Sequence, residues 1–228
     1  MALGSIGPFI HLILQLFILA SQYTVYGRYL QRSYIQEWKG GVIPFRFRES
    51  DFSESEKLYI YSVMEEIMTA SGCIKFKRSN EYNDYLEIQR GSSCTSYVGR
   101  QGGQQPLYVS AECLGANGRE RMLHTFMHSL GFQEEFRRPD RDKYIKIYMK
   151  NLKERDRKRF KKLKWYYFMD YLDTPYDLMS VMHPPSKYFS ANGKDTIRLK
   201  NRKPLPEHKG LSRIDVQRLR NICYTFYK

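Results

Sequence analysis

The chain has 228 residues, 42% of them hydrophobic, and a formal net charge of +14. This length suffices for one domain with a substantial core, or for a two-lobed domain, and it leaves little room for an appended module. Only one apolar run is present, which excludes a protein with several membrane spans. The positive charge favours acidic partners.

The N-terminus has the features of a secretory leader. An apolar run without charged side chains occupies residues 9–20, and the sequence VYG at 25–27 offers a small residue for cleavage. An uncleaved signal anchor is the alternative, because no basic residue precedes the run, although the run is short for a membrane span. We expect a signal peptide at 1–27, then a secreted, extracellular domain at 28–228 with no stable membrane span.

The first elements predicted after the leader are a strand and a helix. Residues 42–47 have the alternation of a strand, and Pro44 favours an edge position. Ser53 and Glu56 have the spacing of a capping box, and apolar residues recur at helical spacing as far as 71–72. A helix is therefore predicted between these points.

Three further strands and two further helices are predicted along the chain. The strands are 73–77, 85–88 and 107–109. One helix is predicted over 119–130, where Gly131 ends it, and the last over 212–222. The half that follows Gly131 is otherwise rich in loops. This order of elements indicates an α+β fold built on one mixed sheet.

Four cysteines lie in a chain that is expected to enter the secretory pathway. They are Cys73, Cys94, Cys113 and Cys223. An even number of cysteines in an oxidising compartment predicts two disulfides, and the residues alone leave three pairings open. The spacings do not match the Cys-x-x-Cys pairs of a zinc-thiolate site.

The densest positive charge lies at 150–164, where nine Lys or Arg residues outnumber two acidic residues. Two interpretations of this segment are open. It is either the solvated face of a helix or a surface that binds an acidic glycan or another anionic surface. No nucleic-acid partner is expected.

The segment 124–142 carries the residues that indicate chemistry. His124 and His128 are four residues apart, so they share one face of the predicted helix and both imidazoles can reach one zinc ion. Gly131 lets the chain reverse, which brings Glu134 towards the same ion from the other side. The whole segment resembles the signature H-E-x-x-H-x-x-G-F-x-H-E-x-x-R-x-D-R-D of the astacin zinc metalloproteases, a family of the metzincin clan.

The similarity to astacins extends over nearly the whole mature chain. Matching segments include 38–45, 94–105, 175–183 and 211–215. The third of these resembles the Met-turn of the metzincins, with Met182 as its methionine. The resemblance implies a single two-lobed peptidase domain without an EGF or CUB extension. Its N-terminal lobe would hold a mixed, mostly parallel sheet and two long helices, and its C-terminal lobe would be rich in loops.

The resemblance also assigns structural roles. It implies the disulfides Cys73–Cys223 and Cys94–Cys113. It implies that Glu135 receives the buried amino terminus of the mature domain. A salt-bridged loop beneath the helix is implied for the charged residues that follow, which are Arg138, Asp140, Arg141 and Asp142.

Three positions depart from the astacin pattern at the catalytic centre. Thr125 replaces the general-base glutamate, and a hydroxyl with no acidity near neutral pH cannot take a proton from zinc-bound water. Glu134 replaces the third histidine, and although a His-His-Glu set is known at catalytic zinc sites, the shorter carboxylate predicts weak zinc binding or none. Pro184 replaces the tyrosine that follows the Met-turn histidine, so the hydroxyl that stabilises an oxyanion is lost.

These losses predict a secreted metalloendopeptidase homologue that is catalytically inactive and acts by binding a peptide or protein ligand. One alternative is an active zinc metalloendopeptidase with His124, His128 and Glu134 as ligands, and with Glu134 or Glu135 as the base. Another is a structural or venom-type secreted protein whose role does not involve the cleft. No propeptide is evident after the leader, either because an inactive chain needs none or because the sequence is truncated.

Overall fold

The computed structural model describes residues 37–116, 118–164, 167–168, 174–207 and 209–226, with side chains in the last helix described as far as Cys223. The signal peptide at 1–27 lies outside the described residues and stays a prediction. Within the described ranges, no helix combines the length and apolar character needed to cross a membrane.

Five strands form one mixed sheet. They are β1 (Val42–Phe47), β2 (Lys75–Arg78), β3 (Tyr85–Arg90), β4 (Thr95–Ser96) and β5 (Gln104–Val109). Their order in the sheet is β2-β1-β3-β5-β4, and the short β4 alone among them runs antiparallel to its neighbour. The sheet is therefore mostly parallel, as the resemblance implies.

The proline in β1 was expected at an edge, but β1 lies between β2 and β3. The expectation is wrong for the strand as a whole. It holds locally, because Pro44 pairs with Lys77 of β2 while pairing with β3 begins at Phe45. At Pro44 the strand has a neighbour on one side only, so the missing N–H interrupts no ladder with β3.

Four α-helices accompany the sheet. They are α1 (Glu54–Ser71), α2 (Ala111–Leu114), α3 (Arg119–Ser129) and α4 (Arg213–Phe226). The capping box of α1 is confirmed, because the Ser53 backbone N–H donates to Glu56 Oε2 (2.8 Å) and the Glu56 N–H donates to Ser53 Oγ (3.4 Å). Gly72 ends this helix with φ of 77°. Helix α1 packs against both α3 and α4.

Two strand boundaries differ from the prediction for local reasons. Strand β2 starts two residues late, because the Ile74 N–H donates to Ser71 Oγ (3.1 Å) and the chain is still leaving α1 there. Strand β5 starts three residues early, at the polar Gln104. This residue pairs with Tyr85 of β3, and the Tyr85 hydroxyl donates to Gln104 Oε1 (2.9 Å).

The main hydrophobic core lies between the sheet and the helices. Its fully buried members include Ile43, Phe45, Ile60, Ile67, Leu86, Ile88, Leu123 and Phe126. Trp38, ahead of β1, is also buried, and its indole N–H donates to the carbonyl of Ser129 at the end of α3 (2.8 Å). This bond fixes the end of α3 relative to the start of the sheet.

The second half of the chain is built around a smaller hydrophobic cluster. Its buried members are Phe136, Ile145, Leu152, Phe160, Tyr176 and Ile197. Strands β6 (Ile145–Ile147) and β7 (Ile197–Leu199) pair antiparallel, and short 3-10 helices and turns make up much of the rest of the described chain here. The loop-rich second half is thus confirmed.

The basic stretch at 150–164 contains a 3-10 helix, Glu154–Phe160, rather than an α-helix. Asp156 and Phe160 are buried, and the ring centroid of Phe160 lies 5.0 Å from that of Phe136. The segment is therefore attached to the second cluster by one side, and only its other side is solvated.

Two disulfides join the four cysteines. Cys73 pairs with Cys223 across 150 residues, and Cys94 pairs with Cys113 across 19. This is the pairing that the resemblance implies. The first bridge links the end of α1 to α4, so it closes most of the described chain into one loop.

We expect the two bridges to contribute unequally to stability. In the chain-entropy model, loss of the longer loop costs about 5 kcal/mol and loss of the shorter about 3 kcal/mol. Urea unfolding of Cys73→Ala/Cys223→Ala and Cys94→Ala/Cys113→Ala variants measures both values. A larger loss in the second variant would show that native contacts around Cys94 outweigh chain entropy.

Candidate metal centre

Helix α3 presents two histidines on its partly exposed face. Its opposite face buries Met122, Leu123, Phe126 and Met127 in the main core. The rings of His124 and His128 lie one turn apart, with centroids 4.5 Å apart and planes at 89°. Their side chains keep 21% and 13% of their surface exposed, so both remain reachable from solvent.

The chain reverses after α3 and brings Glu134 to the two histidines. Gly131 adopts a φ of 104°, a conformation that favours glycine, and its N–H donates to the His128 carbonyl (2.9 Å). Glu134 Oε1 then lies 3.4 Å from His124 Nε2 and 3.5 Å from His128 Nε2. The carboxylate therefore reaches both imidazoles despite its shorter side chain.

Backbone carbonyls orient both imidazole rings. His124 Nδ1 lies 2.9 Å from the Val181 carbonyl, and His128 Nδ1 lies 2.8 Å from the Phe132 carbonyl. A carbonyl oxygen only accepts, so each Nδ1 carries a proton and donates it. In the neutral rings, the lone pair of each Nε2 consequently faces Glu134, which is the arrangement of histidine ligands at metal sites.

This cluster is electrostatically incomplete without a cation. Two Nε2 lone pairs and one carboxylate converge, and these ligand atoms all lie within 4.8 Å of one another. Glu134 Oε2 is buried and has no hydrogen-bond partner among the described residues. Burial opposes a charge on His124, but the neighbouring carboxylate outweighs it and raises the pKa of this imidazole. Either a proton or a metal ion must offset the acceptors, and two imidazoles with a carboxylate form a set that suits zinc.

The Met-turn lies against the first histidine and is held by a buried aspartate of α4. Asp215 accepts from the Ser180 hydroxyl (2.6 Å) and from the Val181 N–H (2.8 Å). Met182, 1% exposed, donates its N–H to Ser180 Oγ (3.0 Å). Since the Val181 carbonyl orients His124, Asp215 acts on the metal centre through one intervening residue.

Glu135 points away from the histidines into a buried ion cluster. Its carboxylate accepts from Arg218 (2.8 and 3.0 Å), from Arg138 (3.3 Å) and from the N–H of Asp177 (2.8 Å). Its own N–H donates to the Met182 carbonyl (2.9 Å). Glu135 is therefore not available as a base. The amino terminus that the resemblance assigns to it lies outside the described residues.

The salt-bridged loop that follows is present. Arg138 donates to both carboxylate oxygens of Asp140 (3.0 Å each), and Arg141 Nε lies 3.4 Å from Asp142 Oδ1. Both guanidinium groups are largely buried. The loop thus supports the chain immediately after Glu134.

The two other substituted positions offer no catalytic group to the centre. Thr125 is fully buried, and its hydroxyl donates back to the Arg121 carbonyl within α3 (2.8 Å). Pro184 is buried and supplies only its carbonyl, 3.1 Å from His183 Nδ1. The other nitrogen of that histidine lies 2.9 Å from the Tyr176 hydroxyl oxygen.

Two residues near the centre were not identified from the sequence. Burial and the neighbouring Glu134 carboxylate raise the pKa of the Tyr188 phenol, which places this tyrosine beside the candidate ligand. Its position four residues after Pro184 is a signal only once a lost hydroxyl is being sought. Arg218 could have been noticed because it lies three residues after Asp215, on the same face of α4.

Comparison with known proteins decides the family. The model of the peptidase family described as Astacin matches residues 31–225. The chain belongs to the astacin family. Zinc metalloproteinase nas-6 of Caenorhabditis elegans is 36% identical over 160 residues, which is 70% of this chain and 45% of that protein. High choriolytic enzyme 1 of Oryzias latipes is 35% identical over 187 residues, covering 80% and 66%.

Solved astacin-like structures support the fold. The structure of high choriolytic enzyme 1, a hatching enzyme zinc-protease, matches with a TM-score of 0.73 and 31% identity, covering 84% of this chain and 94% of that one. A structure of myroilysin matches with a TM-score of 0.60 at 16% identity, and this likeness concerns the fold alone. The chain spans about half the length or less of nematode astacins such as nas-6 (45%) and nas-13 (43%).

Replacement of Asp215 by alanine tests its role as the anchor of the Met-turn. The Val181 N–H, the Ser180 hydroxyl and the Ser212 N–H would lose their acceptor. We expect the free energy of unfolding to fall by about 3 kcal/mol, because buried donors would be left unsatisfied. The control is Asp142→Ala, since Asp142 is 58% exposed in its pair with Lys162, and it should cost less than about 1 kcal/mol. Equal losses in urea unfolding would contradict the anchoring role.

Proposed function

We propose that this chain is a secreted astacin-family protein that binds zinc weakly, does not hydrolyse peptides at a useful rate, and acts by binding a peptide or protein segment in the cleft. The observation that carries the proposal is the inward bond of Thr125. Its hydroxyl is engaged with the Arg121 carbonyl inside α3, so the residue next to the first histidine presents nothing to the cleft. Secretion is supported by the two disulfides, which persist in oxidising compartments.

The metal part of the proposal rests on three side chains. His124, His128 and Glu134 would hold zinc, which when bound supplies a Lewis acid and lowers the pKa of a water molecule. The carbonyls of Val181 and Phe132 keep both imidazoles in the tautomer that a metal requires. Glu134 contributes the negative charge of the set.

The loss of hydrolysis follows from the missing proton acceptor. In the intact signature the glutamate beside the first histidine accepts a proton from the attacking water, and Thr125 cannot. Glu135 cannot replace it, because its oxygens are occupied by Arg218 and Arg138. The hydroxyl expected after the Met-turn is also absent, since Pro184 has none.

A second candidate function is supported by one observation. The His-His-Glu set is already assembled, and Glu134 Oε2 has no hydrogen-bond partner in the described part of the chain. An active metalloendopeptidase would have to use Glu134 both as ligand and as base. Placing both tasks on one carboxylate costs rate, so this candidate ranks second.

Zinc affinity tests the ligand set separately from activity. We expect the wild type to bind zinc at least about tenfold more weakly than Glu134→His and more tightly than Glu134→Ala, since the carboxylate reaches the site but replaces the imidazole of the intact signature. Competition with a chromogenic chelator measures the three affinities. Equal binding by the wild type and Glu134→Ala would remove Glu134 from the ligand set.

Stepwise reversion tests why hydrolysis is lost. We expect casein cleavage by the zinc-loaded wild type to lie about a hundred to ten thousand-fold below that of an intact astacin, because the base is missing. Thr125→Glu alone should recover little. Thr125→Glu/Glu134→His/Pro184→Tyr should show cleavage that a chelator abolishes, because base, ligand and hydroxyl return together.

The control for reversion is the triple variant with Thr125→Gln in place of Thr125→Glu. It has the same size at the base position but cannot accept a proton as a carboxylate does, so it should stay inactive while binding zinc. If the single Thr125→Glu variant cleaves as well as the triple variant, Glu134 is a competent catalytic ligand and the second candidate is correct. If the wild type itself cleaves at the rate of an intact astacin, the proposal is wrong.

A further inference from the structure

The 3-10 helix Glu154–Phe160 arranges its cations in a row. Three residues make one turn of such a helix, so side chains three positions apart are eclipsed, at about 6 Å per turn. Arg155, Lys158 and Lys161 therefore follow one another along one side, which we call the basic ridge. The buried Asp156 and Phe160 occupy the other two sides, so the ridge faces solvent.

The charges of the basic ridge are available to a ligand. Lys158 and Lys161 form no ion pair with any described residue. Arg155 is 78% exposed, with Asp156 at 3.7 Å. The Asp156 side chain is only 9% exposed and lies beneath the cations rather than among them. Solvent therefore meets an almost unbroken positive surface.

Shallow depressions border this helix on its basic side. One, of about 520 Å³, is lined by Lys153, Arg155 and Arg159, with the ring of Phe189 beside them. The Arg159 guanidinium lies 5.1 Å from the centroid of that ring. Phe189 has a φ of 54°, which is unusual for an aromatic residue and keeps its ring at this position.

A second depression, of about 510 Å³, adds cations at the end of the ridge. Lys161 lines it together with Lys146 and Lys200. Its acidic member, Asp142, is neutralised by Lys162 at 2.6 Å. Positive charge thus extends from one depression along the ridge to the other.

We propose that the basic ridge and its two depressions bind a sulfated polysaccharide. An extended chain of sulfate groups matches a row of separate cations, and guanidinium groups bind such oxyanions through paired hydrogen bonds. A sugar ring can pack on the exposed part of Phe189. The surface is independent of the cleft, so this binding adds to the proposed function.

The surroundings favour a glycan over a membrane. Every exposed side chain among residues 153–164 is charged, so the segment offers no apolar group for insertion between lipids. The depressions suit the protruding groups of a single chain better than a flat array of headgroups.

A second group of cations, on the edge of the sheet, provides the matched control. Lys75, Lys77 and Arg78 are exposed on β2, the edge strand. Their replacement removes the same three positive charges as replacement of the ridge. The two triple variants therefore separate local recognition from the effect of net charge.

The experiment measures binding of a fluorescent heparin oligosaccharide at physiological salt. We expect Arg155→Gln/Lys158→Gln/Lys161→Gln to weaken binding at least about tenfold, because three surface ion pairs are lost. We expect Lys75→Gln/Lys77→Gln/Arg78→Gln to change it less than about threefold. Equal thermal unfolding midpoints in the three proteins would show that the fold is intact.

Three results would overturn the proposal. They are equal weakening by both triple variants, undiminished binding of the same oligosaccharide after removal of its sulfates, and tighter binding to phosphatidylserine vesicles than to heparin. The last would assign the surface to a membrane instead. Failure of the wild type to bind heparin at physiological salt would also reject it, whatever the cleft does.

Discussion

The buried ion pair between Glu135 and Arg218 is the interaction on which the metal centre depends. It joins the residue next to Glu134 to the last helix, and neither side chain is more than 1% exposed. The same helix carries Asp215, which holds the Met-turn, and the Met182 carbonyl in turn accepts from the Glu135 N–H. Removing one partner of such a pair costs about 3–5 kcal/mol, because a charge is left buried without compensation. The positions of Glu134 and of the carbonyl that orients His124 are therefore set by contacts with α4, far along the chain.

This arrangement explains how a site can keep a metal-binding geometry without keeping catalysis. The ligands are positioned by helix α3, by the reversal at Gly131 and by the ion cluster. The general base of the intact signature is not a ligand, so its replacement by Thr125 disturbs none of these supports. The threonine hydroxyl satisfies itself within the helix and leaves the fold unchanged. Recognition through the cleft can persist where hydrolysis does not.

Much of the fold was predictable because local signals and the family signature agree. The capping box at Ser53 set the start of α1, and the spacing from His124 to Glu134 identified the three candidate ligands. The reach of Glu134 was underestimated, because the position of the chain after Gly131 depends on contacts with α4 that no local pattern shows. Arg218 and Tyr188 were missed for the same reason. The 3-10 form of 154–160 was also unpredictable, since its charges suit any exposed helix and only the burial of Asp156 and Phe160 distinguishes one.

The attachment of this 3-10 helix has a consequence for how two surfaces of the protein communicate. Arg137, three residues after Glu134, donates from its side chain to the Lys161 carbonyl (3.1 Å), and its own carbonyl accepts from the Leu163 N–H (2.8 Å). The end of the basic ridge and the loop that presents the carboxylate ligand thus share one hydrogen-bonded strip of backbone. A polyanion that shifts this strip changes the affinity for zinc, and thermodynamic linkage then requires zinc to change the affinity for the polyanion by the same factor. In a chain without hydrolysis, such reciprocal coupling would make metal supply in the extracellular matrix a regulator of adhesion.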